Sequence, residues 1–333
     1  MEETAYALKP ARKTFSRIGI AMSAIVLISP VARLILLTVA ARLWGSNNWL
    51  SQSSWGTWIS SFLPLYAAAI PVSLLIMGKL PTQTPAEHKL KGTHFLFILP
   101  ICFFLMYSGS IIGTVLSMIL SGGTAENAIS ELATDNNPLK ILVVVILAPL
   151  LEEYVCRKQI IDRTRQYGEK TAVFLSALTF GLLHQNLFQF FYAFAIGLIF
   201  AYVYLRTGRL RYSVLLHAII NFMGSVIAPL ILSLVDMEKI ANLDANVPTE
   251  ELVAMMADIL PKLLLMLLYL VVLFSVATLG LIFFILVLAR KQLIWKTADN
   301  TLPKGTAAKT VYLNVGMVLY VVLCLVSFVR ALF

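Results

Sequence analysis

The sequence predicts an all-α, polytopic membrane helix bundle of about nine transmembrane helices, with the N-terminus cytoplasmic. Three observations carry this. Hydrophobic residues make up 59% of the 333 positions and charged residues 13%, against roughly 45–50% and 25% in soluble domains. The apolar residues lie in long runs, and about 20 of them in sequence cross the hydrocarbon of a bilayer. The Lys and Arg residues gather at the ends of those runs, as membrane topology requires.

The runs fall at 18–43, 57–77, 94–120, 138–161, 171–187, 188–206, 211–234, 260–289 and 310–330. The first is too long for the h-region of a cleavable signal peptide and reads as a retained membrane helix. The fifth and sixth are separated only by an inferred tight turn near Gln185–Asn186. With the N-terminus inside, the cytoplasmic segments hold 20 of the 26 basic residues, from Lys9, Arg12, Lys13 and Arg17 through to Lys304 and Lys309. Merging the fifth and sixth runs would destroy that alternation. The net charge of +9 therefore reads as topology and not as nucleic-acid binding. Cys102, Cys156 and Cys324 lie in apolar runs and read as small hydrophobes.

Four regions follow: 1–137 with three spans, a four-span core over 138–234, an acidic external loop over 235–259, and two spans in 260–333. A short amphipathic helix is expected after Pro248-Thr249-Glu250. Trp44, Trp49, Trp55 and Trp58 are expected to form an interfacial belt.

Polar groups inside spans are the informative positions, because a charge at mid-membrane costs about 2.5–3.5 kcal/mol on insertion scales. Fifteen of the 17 acidic residues lie in loops or tails. The exceptions are adjacent, Glu152 and Glu153 on the fourth span. Two of the four histidines, His184 and His217, belong to the fifth and seventh. Glu153 and Arg157 are four apart and share a helix face, so they can pair, while Glu152 points about 100° away. His217 and Asn221 are likewise four apart, and Phe180 stands four before His184. Ser213, four before His217, reads as an ordinary helix serine. A lone interhelical His or Asn serves as packing glue, but two carboxylates and two imidazoles on three spans suit water activation. Spacing alone leaves a catalytic and an ion-handling site both open.

Three motifs occur in order: Glu152-Glu153-Tyr154-Val155-Cys156-Arg157 (EExxxR), Phe180-Gly181-Leu182-Leu183-His184 (FxxxH) and His217-Ala218-Ile219-Ile220-Asn221 (HxxxN). In these the chain resembles the CPBP intramembrane protease family, which contains the type II CAAX prenyl endopeptidases and the Abi-type immunity proteins. The resemblance covers roughly Leu147 to Gly224. It implies an endopeptidase acting on a membrane-associated or prenylated peptide. Glu152 would be the general base, His184 and His217 would position water or polarise the scissile carbonyl, and Asn221 would stabilise the oxyanion. Glu153 and Arg157 would orient. The cofactor stays open: a Glu–His–His set could hold Zn²⁺, yet HExxH is absent. Lys158 stands where the family usually has Gly. Helix rise sets His184 about 20 Å from the cytoplasmic start of its span and His217 about 9 Å. The two can therefore meet only if the fifth helix begins outside the hydrocarbon or the helices tilt.

The partners implied are a peptide substrate and the lipid bilayer, without nucleic acid, in the plasma membrane of a bacterium; the oligomeric state is not specified. Two other readings are a non-catalytic Abi-type immunity or scaffold protein and a proton-coupled transporter.

Overall fold

Runs of apolar residues that cannot bond their backbone to lipid must bond it internally, and helices do this within one segment. Among the described residues of the computed structural model, all regular secondary structure is helical. The structure describes residues 2–127, 135, 137–235, 249–298 and 300–333. Nine long helical elements follow one another among the described residues: α1 (Glu2–Trp44), α2 (Ser54–Met77), α3 (Gly92–Ser121), α4 (139–167), α5 (Glu169–Leu183), α6 (Leu187–Thr207), α7 (Leu210–Ser233), α8 (Thr249–Ala289) and α9 (Val315–Leu332). Seven are long and apolar enough to cross a membrane. The other two are α4 and α5. α5 has 15 residues, about 22 Å of helix. α4 carries Glu152, Glu153, Arg157, Lys158, Asp162 and Arg163.

The turn between α5 and α6 is built by its own residues. Gln185 takes φ 57°, and the Asn186 side chain caps α6 by accepting from Gln189 N at 2.9 Å, a standard N-cap device. α6 is central. It packs along α3 on one side and α5 on the other, with Ala193, Ile196, Phe200 and Tyr204 buried. The close approach of α3 depends on glycine: a Cβ on Gly113 would fall 2.4 Å from the Leu187 carbonyl oxygen. α1 pairs with α9 and α2, and α8 lies against α3 through the stacked Phe97–Phe283 rings. Large apolar side chains such as Leu34, Leu75, Phe274 and Val315 face outward, as a lipid-solvated surface requires.

The chain alternates ends as the charge pattern predicts. The α2–α3 connection, the α4–α5 and α6–α7 turns and the α8–α9 connection meet at one end. There Gln83 N donates to Asp162 O, His88 N to Thr207 O, Asn300 N to Gln166 O and Leu302 N to Tyr167 O. Thr14 of α1 reaches Tyr167 at this same end. Gly208 ends α6 in the left-handed region at φ 60°, and a Cβ there would strike the Pro85 carbonyl oxygen at 2.6 Å. At the opposite end Asp135 accepts from Ser54 and Trp58 of α2, and Ser327 of α9 donates to Gln185.

Two local expectations differ. Trp58 is fully buried and bonded to Asp135, whereas Trp44, Trp49 and Trp55 are exposed. Most of the acidic loop, including Asp236, Glu238 and Asp244, lies outside the described residues. From Thr249 onward there is no separate short helix: α8 runs unbroken through Asp258, which pairs with Lys262 one turn on.

Candidate active site

The two glutamates sit on one regular stretch, Ala148–Glu153, bracketed by wider π-type turns at Ile141–Leu147 and Tyr154–Gln159. Such turns commonly occur at functional sites. Glu153 is fully buried and pairs with Arg157 in a fork, Arg157 Nε to Oε2 at 2.9 Å and Nη2 to Oε1 at 3.1 Å. Arg157 is equally buried. Its Nη1 donates to the carbonyl and hydroxyl oxygens of Ser176 at 3.1 and 3.0 Å, and its guanidinium lies 4.4 Å from the Phe180 ring centre. Charge, fork geometry and aromatic face together hold an ion pair that would otherwise be costly to bury.

His217 of α7 stands between the two carboxylates. Its Nδ1 is 3.3 Å from Glu153 Oε1 and its Nε2 is 3.8 Å from Glu152 Oε2. Its ring rests between Phe180, edge-on at 5.5 Å, and Phe200, stacked at 5.6 Å. Glu153, committed to Arg157, holds the Nδ1 side of His217, and Nε2 is directed toward Glu152. Glu152 has no such cation, and its side chain keeps 17% of its surface exposed. The 100° offset between neighbouring helix positions thus separates a tied carboxylate from an available one.

His184 closes α5 as its C-cap. Its ring is 5.1 Å from Phe180 and 6.3 Å from Tyr192. His184 is one turn beyond Phe180 on α5, and both histidine rings meet the Phe180 ring edge-on. The start of α5 lies among polar groups of the basic end, where Glu169 pairs with Arg206.

Asn221, one turn past His217, donates from Nδ2 to the Val144 carbonyl at 2.8 Å. The reason lies in α4. Ala148 N–H reaches five residues back to Val143 O. The next bond in that register would run from position 149 to Val144 O, and Pro149 has no N–H. Asn221 fills the acceptor that proline orphans. Ser213 Oγ bonds back to Leu210 O at 3.0 Å, an internal helix contact. Ser176, Phe200 and Val144 were not anticipated from residue spacing. Ser176 could have been found, since 176, 180 and 184 form one helix stripe. Among the described residues no three His, Cys, Asp or Glu side chains are grouped as metal ligands would be.

A family-wide pattern described as type II CAAX prenyl endopeptidase Rce1-like matches residues 134–223. The chain is 30% identical to YdiL of Bacillus subtilis (strain 168), a candidate membrane peptidase by its description. That match covers 47% of the chain and 66% of YdiL. It is also 30% identical to the membrane-embedded CAAX protease MroQ of Staphylococcus aureus (strain USA300), over 48% of the chain and 69% of MroQ. The chain belongs to the Rce1-like CAAX protease family. It spans about two thirds of the length of these two relatives. No solved structure matches it. The family segment takes in α4 through most of α7 and contains all six motif residues. The Rce1-like segment leaves out α1, α2, α3, α8 and α9, although α1, α2 and α9 contribute much of the buried core around it.

Proposed function

We propose that this member of the family is an intramembrane endopeptidase that hydrolyses a membrane-associated peptide with water activated by Glu152. One observation carries the reading. His217 faces a carboxylate with each ring nitrogen, at 3.3 and 3.8 Å, and only the Glu153 side is neutralised by a fixed cation. Arg157 fixes Glu153, Glu153 fixes the His217 tautomer, and Nε2 is left to hold a water beside Glu152. The separation lets one water hydrogen-bond both groups.

The steps need no covalent intermediate. Glu152 takes one proton of the water as its oxygen attacks the scissile carbonyl carbon. The tetrahedral oxyanion then collapses and expels the amine, which takes the proton back from Glu152. His184, beside Phe180, is suited to polarise the carbonyl oxygen. Asn221 keeps its second amide hydrogen for the oxyanion while the first holds Val144. The residues at 138–234 form the catalytic unit in this reading, and the remaining spans enclose it. A prenylated peptide is the substrate class that membership of a CAAX prenyl endopeptidase family favours.

The test is hydrolysis of a prenylated and unprenylated peptide panel by purified protein, with and without chelator. Glu152→Gln should lower turnover by about a hundred- to ten-thousandfold, the usual range for a general base, while peptide binding persists. Unchanged cleavage by that variant would discard the mechanism.

A further inference from the structure

A second polar constellation lies at the basic end of the bundle, outside the six motif residues. A cavity of about 50 Å³ is lined by Ala86, His88, Arg165, Glu169, Leu205, Arg206 and Lys296. That volume holds about three waters or one phosphate-sized anion. Four chain segments converge on it: the α2–α3 connection, the α4–α5 junction, the end of α6 and the α8–α9 connection.

The walls are built. Ile294 N donates to Tyr202 OH at 2.9 Å and Lys296 N to Glu169 Oε2 at 2.7 Å, so the α8–α9 connection is pinned across α5 and α6. His88 N is tied to Thr207 O. Arg165 uses Nη1 on the Thr84 carbonyl at 2.9 Å, which leaves Nε and Nη2 available. Arg206 gives Nη2 to Glu169, and its Nε is buried with no hydrogen-bond partner. A buried donor of that kind is costly to leave unmade. Glu169 is the one carboxylate present and is already engaged by Arg206 and Lys296 N. Three cations against one anion leave the cavity with a formal charge of +2.

We propose that this cavity binds a phosphate group, supplied by an anionic lipid headgroup or by free phosphate. Two guanidinium groups and an ammonium around a small cavity match a phosphate's several acceptor oxygens. The setting matches a headgroup as well. Trp295 packs edge-on against Tyr202 at 5.4 Å and Lys170 lies 5.8 Å from the Trp295 ring centre, an aromatic and basic pairing typical of the membrane interface.

The test uses purified full-length protein. Retention of phosphatidylglycerol over phosphatidylcholine is measured in mixed nanodiscs, and inorganic phosphate is titrated in detergent at constant ionic strength with Tm as readout. Arg165→Gln combined with Lys296→Gln should weaken anion binding about thirtyfold, and Lys13→Gln combined with Lys309→Gln, two exposed basic residues elsewhere, should not. Exposed Lys296→Gln alone keeps the test open if the double variant does not fold, with a smaller loss expected. Phosphatidylglycerol selectivity without a phosphate effect assigns the headgroup, and a phosphate effect alone assigns the free ion. No binding of either anion, or equal loss in the charge-matched control, would overturn the site.

Discussion

At the scale of residues, the Glu153–Arg157 pair has, on the proposed mechanism, two roles that substitution can separate. Both side chains are fully buried, so removing one leaves an uncompensated charge, which costs about 3–5 kcal/mol. Glu153→Gln and Arg157→Met should each lower Tm sharply. Replacing both together with Leu removes the buried charges as a set and should restore most of the stability, since apolar replacement of a whole pair is often neutral. Activity should stay lost in the double variant, because nothing would then orient His217. Recovery of turnover along with stability would mean that the pair is scaffolding alone. A second residue-scale effect lies at the opposite end of the bundle. The hydrogen bond from Ser54 and those from Trp58 and Asn137 N, with nearby Lys140, hold the Asp135 carboxyl below the usual carboxylate range. A depressed carboxyl contributes stability that is full above its unfolded value, about 3.9, and is lost as pH falls through the folded value. The Tm difference between the native chain and Asp135→Asn should therefore be widest near pH 6 and narrow toward pH 3. A constant difference would show that the charged form is not favoured.

At the scale of elements, α4 shows what a sequence can and cannot announce. The i,i+4 relation of Glu153 and Arg157 was legible, and so was the separate direction of Glu152, because both follow from 3.6 residues per turn. The π-type turns on either side were not legible, since they change backbone register without a residue signature. The partner of Asn221 was hidden for the same reason: it is a carbonyl of Val144, orphaned by Pro149, and a backbone oxygen has no letter. Pro149 and Asn221 should therefore be energetically coupled through Val144. Asn221→Ala should destabilise the α4–α7 contact by about 1–3 kcal/mol, the cost of an unmade buried bond. Pro149→Ala restores an N–H at position 149 that can complete the register to Val144. The double variant should then be more stable than Asn221→Ala alone, a positive interaction measurable by a thermal double-mutant cycle. Simple additivity would refute the link. Asn221→Asp, which replaces the donor with a charge facing a carbonyl oxygen, should be worse than Ala.

At the scale of the whole molecule, the charge alternation and the folded contacts agree on where each connection lies. The segments rich in Lys and Arg, read one by one along the chain, form a single layer joined by Gln83–Asp162, His88–Thr207 and Asn300–Gln166. That agreement counts α4 and α5 as crossings from end to end, although neither has the length and apolarity of the other seven helices. The shortfall has a physical cause. Both helices are largely enclosed by neighbours, with Cys156, Ile160, Ala172, Leu175 and Phe180 buried, so neither needs a lipid-facing apolar surface along its length. Helix rise could not foretell that His184 and His217 meet, because the meeting runs through Phe180, whose ring touches both. The orientation is open to direct test. The three native cysteines are buried, so introduced ones will dominate labelling by a membrane-impermeant maleimide. Asn47→Cys, exposed after α1, should label in intact cells. Lys89→Cys and Thr301→Cys, exposed on the two connections of the basic layer, should label only after permeabilisation. Lys170→Cys, exposed just after the α4–α5 turn, should likewise label only after permeabilisation, and its labelling in intact cells with positions 89 and 301 protected would remove α4 and α5 as crossings.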